Sequence, residues 1–488
     1  MTAGPPLFSW NGMRLLAICS LLTAMTNFPS GFSHTSVNTA VHKLNEYLND
    51  SFTERFRPLD HEEVSMLKSG INSAWYLFQV VGAMSSPFIC DTYGRKVAFA
   101  ISVVMMAVAG LLQMIASLTP YSEVLVGGRL IAAVFSPLSD AALILYLQEI
   151  SPSSLRGTMS SLYSTGYSMM CLLGMLLGHE ALLGHSLTVL LFVPVIPGVL
   201  STIFACWMPD TPKFLLLAKK DRLAALRSLR FFQGHLPDQT LLLDSMEQHS
   251  KENAPESAET EEKSETSVLN ILKTPHLRRA MQLSVSAAIL TLPFYPILQS
   301  STFFFTDMGV DINSSQMSSS LMMVVLTISS ICSTMVIDRI PRRILLLSCG
   351  SGTVVFMCIF AAAEQMHYQT VAIGACFGFI MSYGIGVGPV IWSIPPELSP
   401  LANRSMMFCL VYSIHSCLVV VTNFSTIPLF MSLGAFSFVL LFAIPSSMAL
   451  VYLLMRLPET NGREIHHIIA ELKGVIEDKP TSTIATIA

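Results

Sequence analysis

The chain has 488 residues, of which 52% are hydrophobic and only 12% are charged. Soluble proteins carry roughly 25% charged residues, so half that share and a mean hydropathy of +0.58 predict a membrane protein. The net charge of −4 provides no basic face for phosphates, and we expect no nucleic-acid partner.

Twelve segments of the chain are apolar over the ~20 residues that a membrane-spanning helix needs. They cover residues 14–36, 69–90, 97–117, 123–147, 158–180, 186–207, 279–306, 317–337, 343–362, 370–395, 405–427 and 431–455. The first of them lacks a processing site, so we expect no cleavable signal peptide. The pattern predicts an all-α membrane protein with twelve transmembrane helices in two pseudo-symmetric six-helix halves.

Three short charged signatures occur twice in the same order. Glu149-Ile-Ser-Pro-Ser-Ser-Leu-Arg156 returns 248 residues later as Glu397-Leu-Ser-Pro-Leu-Ala-Asn-Arg404. Asp91-Thr-Tyr-Gly-Arg95-Lys96 returns after 247 residues as Asp338-Arg-Ile-Pro-Arg342-Arg343, and Met208-Pro-Asp-Thr-Pro after 249 residues as Leu457-Pro-Glu-Thr-Asn. Three repeats at nearly one period indicate a duplicated architecture. We therefore expect an N-terminal half at 1–207, a linker at 208–278, a C-terminal half at 279–456 and a tail at 457–488.

The distribution of basic residues predicts the orientation, because cytoplasmic loops of membrane proteins are enriched in Lys and Arg. All three signatures lie on the basic side, and the short turns on the other side hold neither Lys nor Arg. We therefore expect both termini in the cytoplasm. A location in the plasma membrane is a separate expectation. The polar segment 37–68 would be exoplasmic, where Asn49-Asp-Ser51 is a candidate glycosylation site.

The linker and the tail are expected to lie on the cytoplasmic side. Residues 213–232 have apolar positions at helical spacing and predict short helices under the bundle. Residues 251–265 are polar and acidic and predict a disordered stretch. A further short helix is expected at 464–476.

Charged residues at the cytoplasmic helix ends suit a gate that must open and close. Ion pairs between carboxylates and guanidinium groups are directional, and they break without disturbing an apolar core. Positive-inside topology alone would explain the basic residues but not the matched acids. We expect Glu149 with Arg156, and Glu397 with Arg404, to pair within and across the halves. The predicted gate comprises Asp91, Gly94, Arg95, Lys96, Glu149, Arg156, Asp338, Arg342, Arg343, Glu397 and Arg404.

With these motifs the sequence resembles the major facilitator superfamily, and within it the sugar porters that include the facilitative glucose transporters. The resemblance covers nearly the whole chain and rests on the three repeated signatures together with Gly128-Arg129 and Gly386-x-Gly388-Pro389-x-x-Trp392. It implies that the charged signatures form a cytoplasmic network and that Trp392 lines a central cavity. It also matches Asn38 to an Asn near the end of the first helix.

The sequence differs from this family at the positions whose side chains bind sugars. The family's seventh helix carries several amides, whereas this chain has Ile289-Leu-Thr-Leu-Pro-Phe-Tyr295. A fifth-helix Gln of the family falls at Ser164, and eleventh-helix Asn positions fall near His415 and Val419. Burying a sugar hydroxyl without a partner costs about 1–3 kcal/mol. Either other polar groups replace the amides, or the substrate has fewer hydroxyls than glucose.

Several polar residues inside the apolar segments are candidates for that replacement. Asp140 should face a cavity, since an acid exposed to lipid is costly; it could bind a cation, accept hydroxyls, exchange a proton or simply pair with a neighbouring hydroxyl. His415 is either a ligand or a packing hydrogen-bonder. Tyr295 and Gln299 follow prolines that should interrupt helix seven. The candidate substrate-binding residues are Asn38, Asp140, Ser164, Tyr295, Gln299, Trp392 and His415.

These patterns predict a transporter that moves a small organic solute by alternating access. A hexose-like sugar carried by facilitative uniport is the leading expectation. The alternatives are a transporter of an organic anion or cation, with or without proton coupling, and a nutrient sensor that transports nothing. The sequence contains no nucleophile elbow, metal-ligand cluster or phosphate loop, so we expect neither an enzyme nor a cofactor.

Overall fold

The computed structural model describes residues 9–55, 57–58, 61–235, 239–252, 268–400, 403–461, 463 and 465–473. Within these ranges all regular secondary structure is helical. The reason is physical: a membrane offers no water to backbone N–H and C=O groups, so an apolar segment must satisfy them internally.

The first half is built from six spans. Two of them are composite, because a π-helical turn at Phe28–Phe32 joins α1 to α2 and Pro194 separates α8 from α9. The helices are α1 (Trp10–Asn27), α2 (Ser33–Thr39), α3 (Val41–Arg55), α4 (His61–Tyr93), α5 (Arg95–Ala116), α6 (Ser122–Ile150), α7 (Arg156–Leu177), α8 (Leu187–Phe192) and α9 (Val195–Trp207).

The linker forms short helices, as predicted. They are α10 (Pro212–Leu217), α11 (Arg222–Gln233), α12 (Gln239–Glu252) and α13 (Val268–Lys273). Helix α11 packs against α1 and α6, so it lies under the bundle. The stretch expected to be disordered begins with the last two residues of α12, and its residues 253–265 lie outside the described ranges.

The second half repeats the plan of the first. Its helices are α14 (Pro275–Ile289), α15 (Phe294–Asp307), α16 (Ile312–Val336), α17 (Arg342–Gln365), α18 (Gln369–Ser382), α19 (Gly388–Ile391), α20 (Ile394–Glu397), α21 (Arg404–Leu433), α22 (Phe436–Phe438), α23 (Ile444–Arg456) and the tail helix α24 (Ile465–Lys473). The seventh, tenth and twelfth spans are broken helices. Helix α24 packs against α14, where Arg279 donates to the Leu472 carbonyl at 3.3 Å.

The observed helices coincide with the twelve predicted spans to within several residues. Ten helical stretches in the described ranges are long and apolar enough to cross a membrane. The other two predicted spans are α4 and α7, of 33 and 22 residues, which are long enough but carry more polar side chains. The polar segment 37–68 is largely helical, because α3 buries Leu44 and Leu48 against Ala116 and Leu125.

The two halves meet along α4 with α21 and along α7 with α16. Between α7 and α16 we define a hydroxyl ladder formed by Ser161, Thr165, Thr327 and Thr334. The Thr165 and Thr334 hydroxyls lie 2.8 Å apart, Ser161 donates to Thr334 at 3.1 Å, and Thr327 donates to the Ser168 carbonyl at 3.2 Å. Such bonds between membrane helices contribute about 0.6 kcal/mol each, up to ~1.7.

Replacing Thr165 with Val should weaken the contact between the halves, because the isosteric side chain keeps the volume but loses the bonds to Thr334 and to the Ser330 carbonyl. We expect a lower melting temperature of the purified protein, equivalent to about 1–2 kcal/mol. The matched control is Thr202→Val, whose hydroxyl bonds only to the Gly198 carbonyl of its own helix. Equal effects of the two substitutions would contradict a role of the ladder in holding the halves together.

Candidate functional site

A central cavity lies between the two halves and encloses about 700 Å³, including the space open to solvent. Spans one, two, four and five of the first half line it, together with spans seven, eight, ten and eleven of the second. The lining residues are Ser30, His34, Tyr76, Gln79, Ser136, Asp140, Tyr163, Ser164, Tyr167, Ser168, Phe294, Tyr295, Leu326, Tyr383, Gly388, Trp392, Tyr412 and His415.

Most of the predicted binding residues lie at this cavity. Asp140, Ser164, Tyr295, Trp392 and His415 all line it. The remaining two predicted residues do not belong to the described lining. Gln299 lies one helical turn beyond Tyr295 on α15 and is described below. Asn38 lies on α2, and its side chain is outside the described part of the structure.

Asp140 is the acid at the centre of the cavity. It lies on α6 and is only 4% exposed. Its Oδ2 accepts a hydrogen bond from the Tyr412 hydroxyl at 3.1 Å, and the carboxylate also bonds the Tyr163 hydroxyl. Tyr163 belongs to the first half and Tyr412 to the second, so one carboxylate connects α6, α7 and α21.

The second half contributes an aromatic wall. Helix seven is broken after Ile289, and this break places Thr291 where its hydroxyl lies 2.8 Å from His415 Nε2. The Trp392 ring lies edge-on to His415, with ring centres 5.1 Å apart. Across the wall, Phe294 stacks on Tyr383 at 4.2 Å with nearly parallel planes. A planar or ring-shaped solute would find aromatic faces and polar edges here.

Gln299 closes the cavity at the end away from the charged signatures. Its Nε2 donates to the Tyr76 hydroxyl at 2.5 Å, and Asn423 Nδ2 donates to Gln299 Oε1 at 3.3 Å. The Tyr76 ring also meets Tyr295 at 5.6 Å. Tyr76 lies on α4 of the first half, whereas Tyr295, Gln299 and Asn423 lie on α15 and α21 of the second. The contacts of Tyr76 therefore join the two halves at this end of the cavity.

Sequence reasoning found Tyr295 but missed His34, Gln79 and the other phenols of the cavity, which are Tyr76, Tyr163, Tyr167, Tyr383 and Tyr412. His34 Nδ1 lies 3.0 Å from the Tyr167 hydroxyl, with which it shares the cavity wall. A signal for these residues existed, since Tyr163 and Tyr167 are four residues apart and alternate with lining serines on one helical face. Gln79 is likewise an amide in an otherwise apolar span. We therefore find polar groups in the cavity, but they are mainly hydroxyls where the family pattern has amides.

At the opposite end of the bundle, which we call the basic end, the two halves carry equivalent ion pairs. The basic end comprises the turns at 91–96, 150–156, 338–343 and 397–404. In the first half Arg95 pairs with Glu149 at 3.0 Å and with Asp91 at 3.4 Å. In the second half Arg342 pairs with Glu397 and, at 3.7 Å, with Asp338. These ion pairs each stay within one half.

Hydroxyl and amide groups, rather than arginines, cross between the halves at the basic end. Ser405 Oγ donates to Asp91 Oδ1 at 2.7 Å. In the equivalent contact the Thr158 amide and hydroxyl donate to Asp338 Oδ2 at 2.8 and 2.5 Å. Asp91 thus lies at the N-terminus of α21, and Asp338 lies at the N-terminus of α7. Each helix belongs to the other half, and its dipole favours negative charge at this end.

Gly157 permits the second of these contacts. A Cβ atom added to it would lie 2.0 Å from Asp338 Oδ1, so any larger residue would displace the carboxylate. Its counterpart in the repeat is Ser405, whose side chain makes the bond to Asp91. The two halves therefore make equivalent contacts with different residues.

The expected pairing of Glu149 with Arg156, and of Glu397 with Arg404, is wrong. Glu149 bonds instead to Arg95 and to the Thr211 hydroxyl at 2.5 Å. Neither Arg156 nor Arg404 makes an ion pair within the described ranges. Arg404 is buried, and Glu149, Glu397 and Arg156 are close enough to act on its charge. Among the described residues, its Nε donates a hydrogen bond to the Ser399 carbonyl at 3.4 Å. The packing of α5 on α6 brings Arg95 closer to Glu149 than Arg156 can come.

The remaining predicted gate residues cap helix ends. Gly94 has φ = +100°, a backbone conformation that favours glycine. Lys96 and Arg343 donate through Nζ and Nη2 to the carbonyls of Cys206 and Leu454, at 3.0 and 2.6 Å. Asp210 accepts the Lys96 amide at 3.4 Å, and burial raises the pKa of its carboxyl above the usual value.

The glycosylation signal lies on α3. Asn49 is half-buried there, and the Ser51 hydroxyl of the same signal donates to the Pro120 carbonyl at 2.8 Å. A glycan would have to be added before this hydroxyl is engaged by folding. Glycosylation of Asn49 stays a prediction.

The family described as "Sugar (and other) transporter" matches residues 7–472 of this chain. The chain belongs to the sugar transporter family. Relatives in this family include facilitated glucose transporter member 3 of Oryctolagus cuniculus, which is 26% identical over 94% of this chain and 92% of its own length. Facilitated glucose transporter member 7 of Homo sapiens is 25% identical over 96% of this chain and 93% of its own length.

Solved structures of the xylose transporter XylE share the fold. The proton:xylose symporter XylE bound to 6-bromo-6-deoxy-D-glucose superposes with a TM-score of 0.79 at 16% identity, covering 95% of this chain and all of that one. The inward open conformation of XylE from E. coli superposes with a TM-score of 0.66 at the same identity and coverage. The chain therefore has the major facilitator fold, and it is a multi-pass membrane transporter rather than an enzyme.

Replacing Gly157 with Ala should separate the halves at the basic end, because the new methyl group collides with Asp338. We expect a lower melting temperature, equivalent to the roughly 1–3 kcal/mol that overpacking usually costs. Gly127→Ala is the matched control, since a Cβ there meets nothing within 4 Å.

A second substitution tests whether the collision with Asp338 causes the lower melting temperature. In an Asp338→Ala background the collision with the carboxylate is gone, and the remaining close atom, Arg342 Nη2 at 2.6 Å, belongs to the end of a flexible side chain. Gly157→Ala should therefore have less effect there than in the native chain. Strict additivity of the two substitutions would contradict the contact between Gly157 and Asp338.

Proposed function

We propose that this protein carries a hexose-like sugar across the plasma membrane by alternating access, as a facilitative uniporter with both termini in the cytoplasm. The single observation that carries the proposal is the central cavity. It lies between the halves, is lined by both, and is bounded by contacts between the halves at both ends. A sensor without transport would need no such pair of breakable closures.

The cavity chemistry supports a sugar. A sugar ring has apolar faces and a rim of hydroxyls, and binding it requires partners for those hydroxyls. Phenol, serine and Gln79 side chains provide both donors and acceptors. Trp392 and the stacked pair Phe294 and Tyr383 supply faces for the ring. The relatives named as glucose transporters support the same substrate class.

The basic end supports the alternating cycle. Within each half, ion pairs with the buried Arg95 and Arg342 hold Asp91 and Asp338 in position. Between the halves, one hydrogen bond from Ser405 reaches Asp91 and two from Thr158 reach Asp338. Each such bond contributes about 1 kcal/mol net, or ~1.5–3 when one partner is charged. Thermal motion can therefore open this end, while the ion pairs keep each half rigid.

The orientation follows from charge. Turns at the basic end hold the Lys and Arg of the repeated signatures, and positive residues stay in the cytoplasm. The contacts of Gln299 with Tyr76 and Asn423 would then form the extracellular closure.

Uptake of labelled hexoses into proteoliposomes tests the proposed function. We expect saturable uptake that unlabelled hexose competes away, and we expect no dependence on an imposed pH gradient. Gradient-driven accumulation that is lost in Asp140→Asn would instead establish proton coupling through this acid. Absence of flux with every hexose, in protein that retains its melting transition, would overturn the proposal.

Arg342→Ala should slow transport at least tenfold. It leaves Glu397 buried without its cation, and breaking a buried pair in this way costs about 3–5 kcal/mol. Arg156→Ala is the comparison, because Arg156 is half-buried and pairs with no acid within the described ranges. We expect its uptake rate to stay within about threefold of the native rate. A larger loss in Arg156→Ala than in Arg342→Ala would restore the pairing of Glu149 with Arg156 that the sequence predicted.

A further inference from the structure

Among the described residues no cation lies beside Asp140, although acids inside a membrane protein usually have one. Its two bonding partners, Tyr163 and Tyr412, are neutral phenols. The described lining of the cavity contains neither Lys nor Arg. Arg129, on the same helix, lies 11 residues earlier, roughly 16 Å along the axis. The negative charge of the carboxylate is therefore not balanced by a positive charge among the described protein groups.

The surroundings of Asp140 are those of a cation site. Tyr412 lies between Asp140 and Trp392, whose ring centre is 5.3 Å from that of Tyr412. Aromatic faces attract ammonium groups through the negative charge of their π-systems, and Trp is the strongest of them. The two histidines compete only weakly for the carboxylate, because His415 is engaged with Thr291 and His34 with Tyr167.

We propose that the preferred solute is a sugar that carries a protonated primary amine, and that the ammonium group pairs with Asp140. This inference rests on the proposed sugar transport and specifies its substrate class. An ammonium group has three donors. A carboxylate has about four lone-pair sites, of which the two tyrosines occupy two. The amine therefore fits without displacing either phenol, while the ring lies against Trp392.

The test compares glucosamine, glucose and N-acetylglucosamine at a pH where glucosamine is protonated. Proteoliposome uptake gives the half-saturation concentration for each. We expect glucosamine to be preferred over glucose by roughly tenfold, as for a hydrogen bond to a charged group. N-Acetylglucosamine, which keeps the ring but has no positive charge, should lose that preference.

Asp140→Asn should remove the preference for glucosamine over glucose, whereas Asp140→Glu should retain part of it. Glu123→Gln is the control on the same helix, because this exposed acid pairs with Arg55 at 2.6 Å, outside the cavity. Quenching of Trp392 fluorescence by the three sugars, absent in Trp392→Phe, gives a binding readout in detergent for any variant that reconstitutes poorly.

The outcomes separate the two proposals. Uptake of glucose with equal or weaker uptake of glucosamine would overturn the amine site and leave the sugar transporter intact. An amine preference that survives Asp140→Asn would also overturn it. Uptake of none of the three sugars would contradict the proposed function itself.

Discussion

The structure depends on a carboxylate of one half placed at the N-terminus of a helix of the other. Asp338 accepts the amide and hydroxyl of Thr158 at the start of α7, and Asp91 accepts Ser405 at the start of α21. A helix N-terminus attracts negative charge within about one turn. The attraction is therefore lost as soon as the helix moves by a few ångströms, as the proposed cycle requires of a closure between the halves.

The ion pairs have the complementary task of making each half rigid. Arg95 holds Glu149 and Asp91, and Arg342 holds Glu397 and Asp338, mostly away from solvent. Breaking such a buried pair costs several kcal/mol, more than the ~1–3 kcal/mol of a single hydrogen bond across the interface. Each bond across the interface is therefore weaker than each ion pair within a half. Further from the basic end, the hydroxyl ladder between α7 and α16 adds only weak bonds, so that the same surface can separate and close again.

The sequence was sufficient for the fold and for the identity of the charged groups, but not for their partners. Span positions follow from apolar runs, and the repeat marks Asp91 and Asp338 because charges are rare in this chain. The partner of Glu149 depends on how α5 packs on α6, which no local pattern encodes. Thr158 and Ser405 carry no signal either, since hydroxyl residues are common in membrane helices. Tyr163 and Tyr412 were missed for a similar reason, because an aromatic residue facing a cavity and one packed in the core have the same helical spacing.

Replacing amides with phenols changes what the cavity selects. An amide reads a neutral hydroxyl through both a donor and an acceptor, whereas a phenol supplies one hydroxyl and a π-face. Around Asp140 the phenols donate hydrogen bonds that stabilise the carboxylate, and the Trp392 ring lies beside Tyr412 as an aromatic surface for a cation. The absence of seventh-helix amides and the presence of an acid on α6 then concern the same property of the cavity, its selectivity for the solute. Both features fit the proposed recognition of a ring that bears positive charge better than recognition of the hydroxyl rim of a neutral sugar.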